Sequence, residues 1–224
     1  DDDGGTDKGA VYVLFRGSVS ATTIVSHFKV SATAGGFTGV LDDGDRFGVS
    51  VATGDVNGDG VVDVVVGAYA DDDGGSDKGA VYVLFRGSGS ATTIASHFKV
   101  SDTAGGFTGV LDNAEFFGVS VATGDVNGDG VMDLIVGAYQ DDDGGTNRGA
   151  LYVLFRGSRS AMTIASHFKV SATSGGFTGD FSSYDLFGRS VTTGDMNGDE
   201  VVDLVVGVYG DDDGGANRGA VYVL

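Results

Sequence analysis

An all-β array built from tandem copies of one short-stranded unit is what this sequence predicts, and three observations predict it. The pentapeptide DDDGG begins at Asp1, Asp71, Asp141 and Asp211, so the chain repeats every 70 residues. Copies 1–70 and 71–140 differ at only 12 positions, among them Thr6/Ser76, Val25/Ala95, Val62/Met132 and Val64/Leu134, so the copies must share one structure. Finally, 41 glycines and no proline, with no helix-period apolar stripe and no collagen periodicity, read as many tight turns between short strands.

The domain organisation follows from the period: repeat 1 over 1–70, repeat 2 over 71–140, repeat 3 over 141–210 and a partial fourth over 211–224. Four strands per copy are expected from β-branched and aromatic runs bounded by glycine and aspartate. In the numbering of the first copy, Ala10–Phe15 (AVYVLF) is the first strand. The second is Ile24–Ser31, where Ile24, Ser26, Phe28 and Val30 alternate with Val25, His27 and Lys29. One partly polar face and a lysine suit an outer strand whose edge is guarded. Phe47–Thr53 (FGVSVAT) is the third strand, and Asp63–Ala68 (DVVVGA), apolar on both faces, is a fourth lying in a sheet covered on both sides. Four short strands per copy with sheets stacked on sheets is the pattern of a propeller blade, and the length beyond the usual blade period lies in loops. The expected fold class is therefore all-β, a β-propeller-like tandem of four-stranded antiparallel blades. Divergence between copies concentrates before each Phe-Gly pair, where DDGDR (42–46) becomes DNAEF (112–116) and SSYDL (182–186), as in an exposed loop.

Charge narrows the partners. Against 13 basic residues stand 32 acidic ones, a formal net charge of −19, which repels nucleic acid and anionic lipid and favours cations. No apolar run is long enough to span a bilayer, so no membrane insertion is expected, and the acidic start is unlike a secretion signal and reads as the interior of a longer precursor. Zero cysteines exclude disulfides and thiolate metal sites.

The chemistry concentrates between the third and fourth strands, in DVNGDGVVD (55–63), DVNGDGVMD (125–133) and DMNGDEVVD (195–203). Oxygen ligands recur at every second position. Asp55, Asn57 and Asp59 can turn oxygens toward one point, Val61 can offer its carbonyl, and Asp63 can close the shell; Asp125, Asn127, Asp129, Val131 and Asp133 repeat the set, as do Asp195, Asn197, Asp199, Val201 and Asp203. Hard oxygen donors in irregular geometry suit Ca2+ better than Mg2+ or Zn2+. An EF-hand is excluded, because its twelfth position would be Val66 and strands flank the loop. A plain Asx-turn hairpin is the competing account. Against it, three carboxylates within nine residues repel one another unless a cation neutralises them. Glu200 stands where Gly60 and Gly130 do, at a position expected to need a positive φ, so the third site is expected to be the weaker one.

These residues resemble the FG-GAP repeat family, known from the propeller of integrin α subunits. In the second copy the resemblance rests on Phe117-Gly118, the loop Asp125–Asp133, the segment Asp133-Leu134-Ile135-Val136-Gly137-Ala138-Tyr139 and Gly149-Ala150-Leu151-Tyr152-Val153. Tyr69, Tyr139 and Tyr209 replace the proline of the family's GAP signature, and Val208 replaces its alanine in the third copy. The resemblance implies that the loop binds calcium between the first two strands of a blade, with Asp55, Asn57, Asp59, Asp63 and their equivalents as ligands. It also implies a closed ring of about seven blades; three copies cannot close one. Further repeats of a longer chain, or other copies of this one in a two-chain ring or an open filament, are the expected complements.

Remaining features receive structural readings. The DDDGG segments are secondary cation candidates but fit better as solvated acidic hairpins. His27, His97 and His167 share one phase, a blade apart, and do not converge; Arg16-Gly17-Ser18 lacks the final aspartate of a cell-attachment motif. No nucleophile and base set or phosphate loop is discernible, so no enzyme is expected. The expected function is a calcium-binding extracellular protein, secreted or at the cell surface, with an adhesion or structural scaffold role and a protein or glycan ligand; a glycan-binding lectin-like propeller is the alternative.

Overall fold

The structure is a computed structural model that describes residues 1–20, 22–87 and 92–224. Thirteen strands form among them four antiparallel sheets, and helices are absent from the described residues. A two-stranded sheet pairs β1 (Val11–Arg16) with β2 (Ile24–Val30). The first complete blade is β3 (Ser50–Gly54), β4 (Asp63–Ala68), β5 (Ala80–Arg86) and β6 (Ile94–Val100), in that order across the sheet. The second repeats it with β7 (Ser120–Gly124), β8 (Asp133–Ala138), β9 (Ala150–Arg156) and β10 (Ile164–Val170). A three-stranded sheet of β11 (Phe187–Gly194), β12 (Asp203–Val208) and β13 (Ala220–Val223) follows.

Each of the three larger sheets therefore crosses a copy boundary: β3 and β4, for example, come from one 70-residue copy and β5 and β6 from the next. The strand expected over Asp63–Ala68 forms with those bounds, and it is buried along its whole length, as continuous valine on both faces requires. The third strand is shorter than expected in the first two copies. Phe47 and Phe117 instead make isolated parallel bridges across the blade boundary, to Gly9 and Gly79. A Cβ at Gly79 would lie 2.0 Å from the Phe117 carbonyl, which is why glycine stands there.

Apolar faces pack sheet against sheet. Between the two complete blades lie Val65, Val83 and Phe98 from one and Leu134, Val136 and Leu154 from the other, with Phe107 and Phe117 of the crossover wedged in. His97 packs at a tilt on Phe37 at 4.8 Å between ring centres and His167 on Phe107 at 4.9 Å, and burial lowers the pKa of both imidazoles, so these two are packing residues as expected. Backbones close the seam where side chains vanish. Ser50 donates its hydroxyl to the Gly118 carbonyl at 2.8 Å, and Ser120 to that of Gly188 at 2.7 Å. The innermost strands are laced likewise, Thr123 Oγ1 to the Thr53 carbonyl at 3.0 Å and Thr193 Oγ1 to that of Thr123 at 2.8 Å.

Three surface expectations are corrected. The lysines of the edge strands do not stand free in solvent: Lys99 Nζ lies 2.7 Å from Asp71 and 2.6 Å from Asp73, and Lys169 makes the same pairs with Asp141 and Asp143. The leading aspartates of the last three DDDGG segments are not solvated either, since Asp71, Asp141 and Asp211 are buried, whereas Asp1 is exposed. Tyr82 and Tyr152 donate their hydroxyls to Asp71 and Asp141, each at 3.3 Å. The divergent loop before each Phe-Gly pair is exposed at its tip but buries one carboxylate, Asp45, Glu115 or Asp185. Desolvation, reinforced by the neighbouring Asp71 or Asp141, pushes Asp45 up to about 7 and Glu115 up to about 8.

Candidate metal centre

Each acidic loop joins the innermost strand of a blade to the next, β3 to β4, β7 to β8 and β11 to β12. The local fold follows from aspartate and asparagine capturing nearby amides. In the first loop Asp55 accepts the amides of Asp59 (3.0 Å) and Gly60 (2.9 Å), Asn57 Oδ1 accepts Asp59 N (3.0 Å), and Asp59 accepts Val61 N (2.8 Å). Asp125, Asn127 and Asp129 repeat this network, as do Asp195, Asn197 and Asp199. Residue six of the loop must take a positive φ for it to close, 85° at Gly60 and 79° at Gly130. Glu200 takes 69°, so the third loop adopts the same turn with a side chain where the backbone disfavours one.

Asp63 and Asp133 stand apart from the others. Both are fully buried at the start of a strand. Asp63 accepts Val56 N and Arg86 N, each at 3.1 Å; Asp133 accepts Val126 N (3.2 Å) and Arg156 N (3.4 Å), tying the loop to the third strand of its blade. Burial raises the pKa of both, Asp133 to about 6, with Asp129 and Asp125 adding like-charge repulsion.

The loops therefore realise the Asx-turn geometry in full, and among the described residues no three acidic or imidazole side chains close on a common point. The donor set still fits a hard cation. The donors are all oxygen, and burial and like neighbours disfavour the charge on the buried third aspartate of the second loop, Asp133, a charge that an adjacent cation would stabilise. Asp55, Asn57, Asp59 and Val61, or their equivalents, share the loop while Asp63 or its equivalent begins the next strand; the DDDGG aspartates lie beyond the other end of that strand, with their lysines.

Two arginines of the second blade were not singled out by sequence. Arg156 is buried, donates across the seam to the Val56 carbonyl, and lies in the field of both Asp63 and Asp133. Arg159 donates Nε (3.0 Å) and Nη2 (2.8 Å) to the Gly130 carbonyl. Arg156 has counterparts in Arg16 and Arg86, a periodicity that could have flagged it, whereas Val19 and Gly89 occupy the positions of Arg159.

Blades whose strands run in order outward from an inner strand, with an oxygen-rich loop after that strand, define an integrin-type propeller repeat. The chain belongs to the FG-GAP repeat family, which matches it at residues 47–84, 117–154 and 187–224. Those three stretches start at the Phe-Gly pair and follow the sheets, not the DDDGG phase. It is 35% identical to integrin alpha-PS2 of Drosophila melanogaster over 182 residues, 75% of this chain and 12% of that protein. Against integrin alpha-2 of Bos taurus it is 32% identical over 171 residues, 75% of this chain and 13% of that protein. It is also 30% identical to the Bos taurus phosphatidylinositol-glycan-specific phospholipase D over 178 residues, 79% of this chain and 20% of that protein. The chain thus spans an eighth to a fifth of the length of these relatives.

Proposed function

We propose that this chain is a calcium-stabilised stretch of extracellular propeller that serves adhesion or scaffolding, not catalysis. Three in-phase acidic loops carry this reading: each supplies two carboxylates and an amide oxygen near the surface with a further aspartate behind them, fully buried at Asp63 and Asp133 and partly buried at Asp203. Asp55, Asn57, Asp59 and Asp63, with Asp125, Asn127, Asp129, Asp133, Asp195, Asn197, Asp199 and Asp203, would hold the ions; Val61, Val131 and Val201 would contribute carbonyls. Calcium bound there neutralises carboxylates that join the innermost strand of each blade to the next, so its work is mechanical stiffening of the inner edge. Integrins among the relatives support the adhesive, cell-surface part of the reading. The phospholipase D relative is a longer protein of which this chain spans one fifth, which leaves room outside the shared region for that protein's catalytic part.

The test is a melting curve in excess Ca2+ and in excess chelator. A ligand bound only by the folded form at a hundred times its dissociation constant stabilises by about 2.7 kcal/mol per site, which is a rise of several degrees here. Identical curves would end the calcium reading.

A further inference from the structure

The seam between the two complete blades brings the first two acidic loops to one side chain, Arg159. It belongs to the turn after β9, where Ala161 N donates to the Ser158 carbonyl at 3.1 Å. Arg156 braces that turn from beneath by donating Nη2 to the carbonyls of Arg159 (3.0 Å) and Ala161 (2.5 Å). From this platform Arg159 reaches over the second loop to the Gly130 carbonyl. Its stem rests against the first loop: a Cβ built on Gly58 would lie 2.4 Å from Arg159 Cδ and 3.2 Å from Nη1. Glycine in loop one thus makes the space that the guanidinium fills. The equivalent Gly128 and Gly198 have nothing within 4 Å of such a Cβ. Beside Arg159 opens a cleft of about 310 Å³ walled by Asn57, Asp59, Phe85 and Met162, so the cation shares a cavity with two of the loop's oxygen donors.

We propose that Arg159 is a built-in counter-ion for loops 55–63 and 125–133, holding the two blades' acidic loops together when no metal is bound and opposing a divalent ion that enters them. The physical basis is that the chain carries −19 overall, that each loop carries three aspartates, and that a guanidinium wedged between two such loops lowers the repulsion of both at once. The charge is particular to this seam, because Val19 and Gly89 stand at the equivalent sequence positions of the other copies. The counter-ion role stands on geometry alone; the opposition to metal rests on the calcium reading above.

The experiment uses the full chain with Arg159→Gly, the residue of the second copy, and Arg159→Lys. Melted in chelator at low ionic strength, R159G is expected to lose about 2 °C, R159K less, with both losses vanishing near 1 M NaCl, since an exposed charge contact is modest and screened. Calorimetric Ca2+ titration at low salt is expected to show R159G binding about fivefold more tightly at two sites, as removal of one nearby positive charge predicts. A stability loss that is the same in low and high salt, or no loss at all, overturns the counter-ion. Unchanged affinity at those two sites, with Ca2+ bound in both proteins, overturns the opposition to metal. Failure of every form to bind Ca2+ would retire the calcium reading and leave the counter-ion to be decided by the melting experiment.

Discussion

Lys99 Nζ sits 2.7 Å from Oδ2 of Asp71, an aspartate that is only 2% exposed, so the outermost strand of the blade is pinned to the turn between its middle strands by a largely buried charge pair. Asp73 and the Tyr82 hydroxyl complete the cluster. Removing one partner leaves the other charge buried and unpaired. Lys99→Met is therefore expected to cost about 3 kcal/mol in urea unfolding at pH 7, whereas the double variant Lys99→Met, Asp71→Leu should recover most of it. A double variant no better than the single one would contradict this account.

Stability should fall as pH rises from about 4.5 to 8, because of Glu115. Burial and the nearby Asp141 raise its pKa to about 8 in the folded chain, and its Oε2 has no hydrogen-bond partner among the described residues. The folded state then binds more protons than the unfolded one across that window, so each unit of pH removes stability until the folded carboxyl also ionises. Above pH 8 the cost is fully present, and Glu115→Gln, which carries no charge to desolvate, should be more stable than the parent by about 2 kcal/mol at pH 9 and nearly equal to it at pH 4. Parallel pH profiles for the two proteins would refute the assignment.

Glu200 occupies a turn position at φ 69° that Gly60 and Gly130 fill without a Cβ. Glu200→Gly is expected to stabilise the metal-free chain by about 0.5–1 kcal/mol, relief of the left-handed backbone being partly offset by the added freedom of the unfolded glycine. Chemical denaturation in chelator reads this directly, and a destabilised variant would show that the glutamate makes a compensating contact.

The seams should be intolerant of a methyl group where backbone meets backbone. A Cβ on Gly67 would lie 1.9 Å from the Gly118 carbonyl of the next blade, whereas one on Gly207 meets only Ser190 of its own sheet, whose hydroxyl can rotate away. Gly67→Ala should cost roughly 3 kcal/mol and Gly207→Ala less than about 1, by urea midpoint at constant slope. Equal costs would mean that the serine contact, common to both sites, sets the penalty.

If the loops take calcium one ion each, Asp55→Asn, Asp125→Asn and Asp195→Asn should each remove one equivalent from a calorimetric titration while leaving the other sites filled. Stoichiometry unaltered by all three would place the ions elsewhere.

How much of this was legible beforehand depended on whether a residue's role was local. Asp63–Ala68 could be read to the residue, since five apolar or small positions between an aspartate and a tyrosine form a short buried strand, and the turn chemistry of DVNGDG forecast a positive φ at Gly60 that Glu200 shares. Blade composition was not legible, because hydrogen bonding joins β4 of one copy to β5 of the next and the DDDGG phase gives no sign of where a sheet begins. Lys99 looked like an edge guard because its partners lie 28 and 26 residues away in a turn that reads as solvated. Glu115 hid in the most variable stretch, where divergence suggested exposure although a carboxylate in all three copies was the constant element. The cation wedged at Gly58 had no periodic signature whatever.

Because every complete sheet draws two strands from each of two successive copies, no copy is an independent module, and any window of 70 residues, wherever it starts, holds one blade's worth of strands. Unequal recombination between such closely matched genes' segments would lengthen or shorten the protein by whole blades at any breakpoint, without creating a broken sheet. The near-identity of the copies and the offset between copy and blade thus combine in one property: adding or removing any 70 consecutive residues adds or removes one blade's worth of strands.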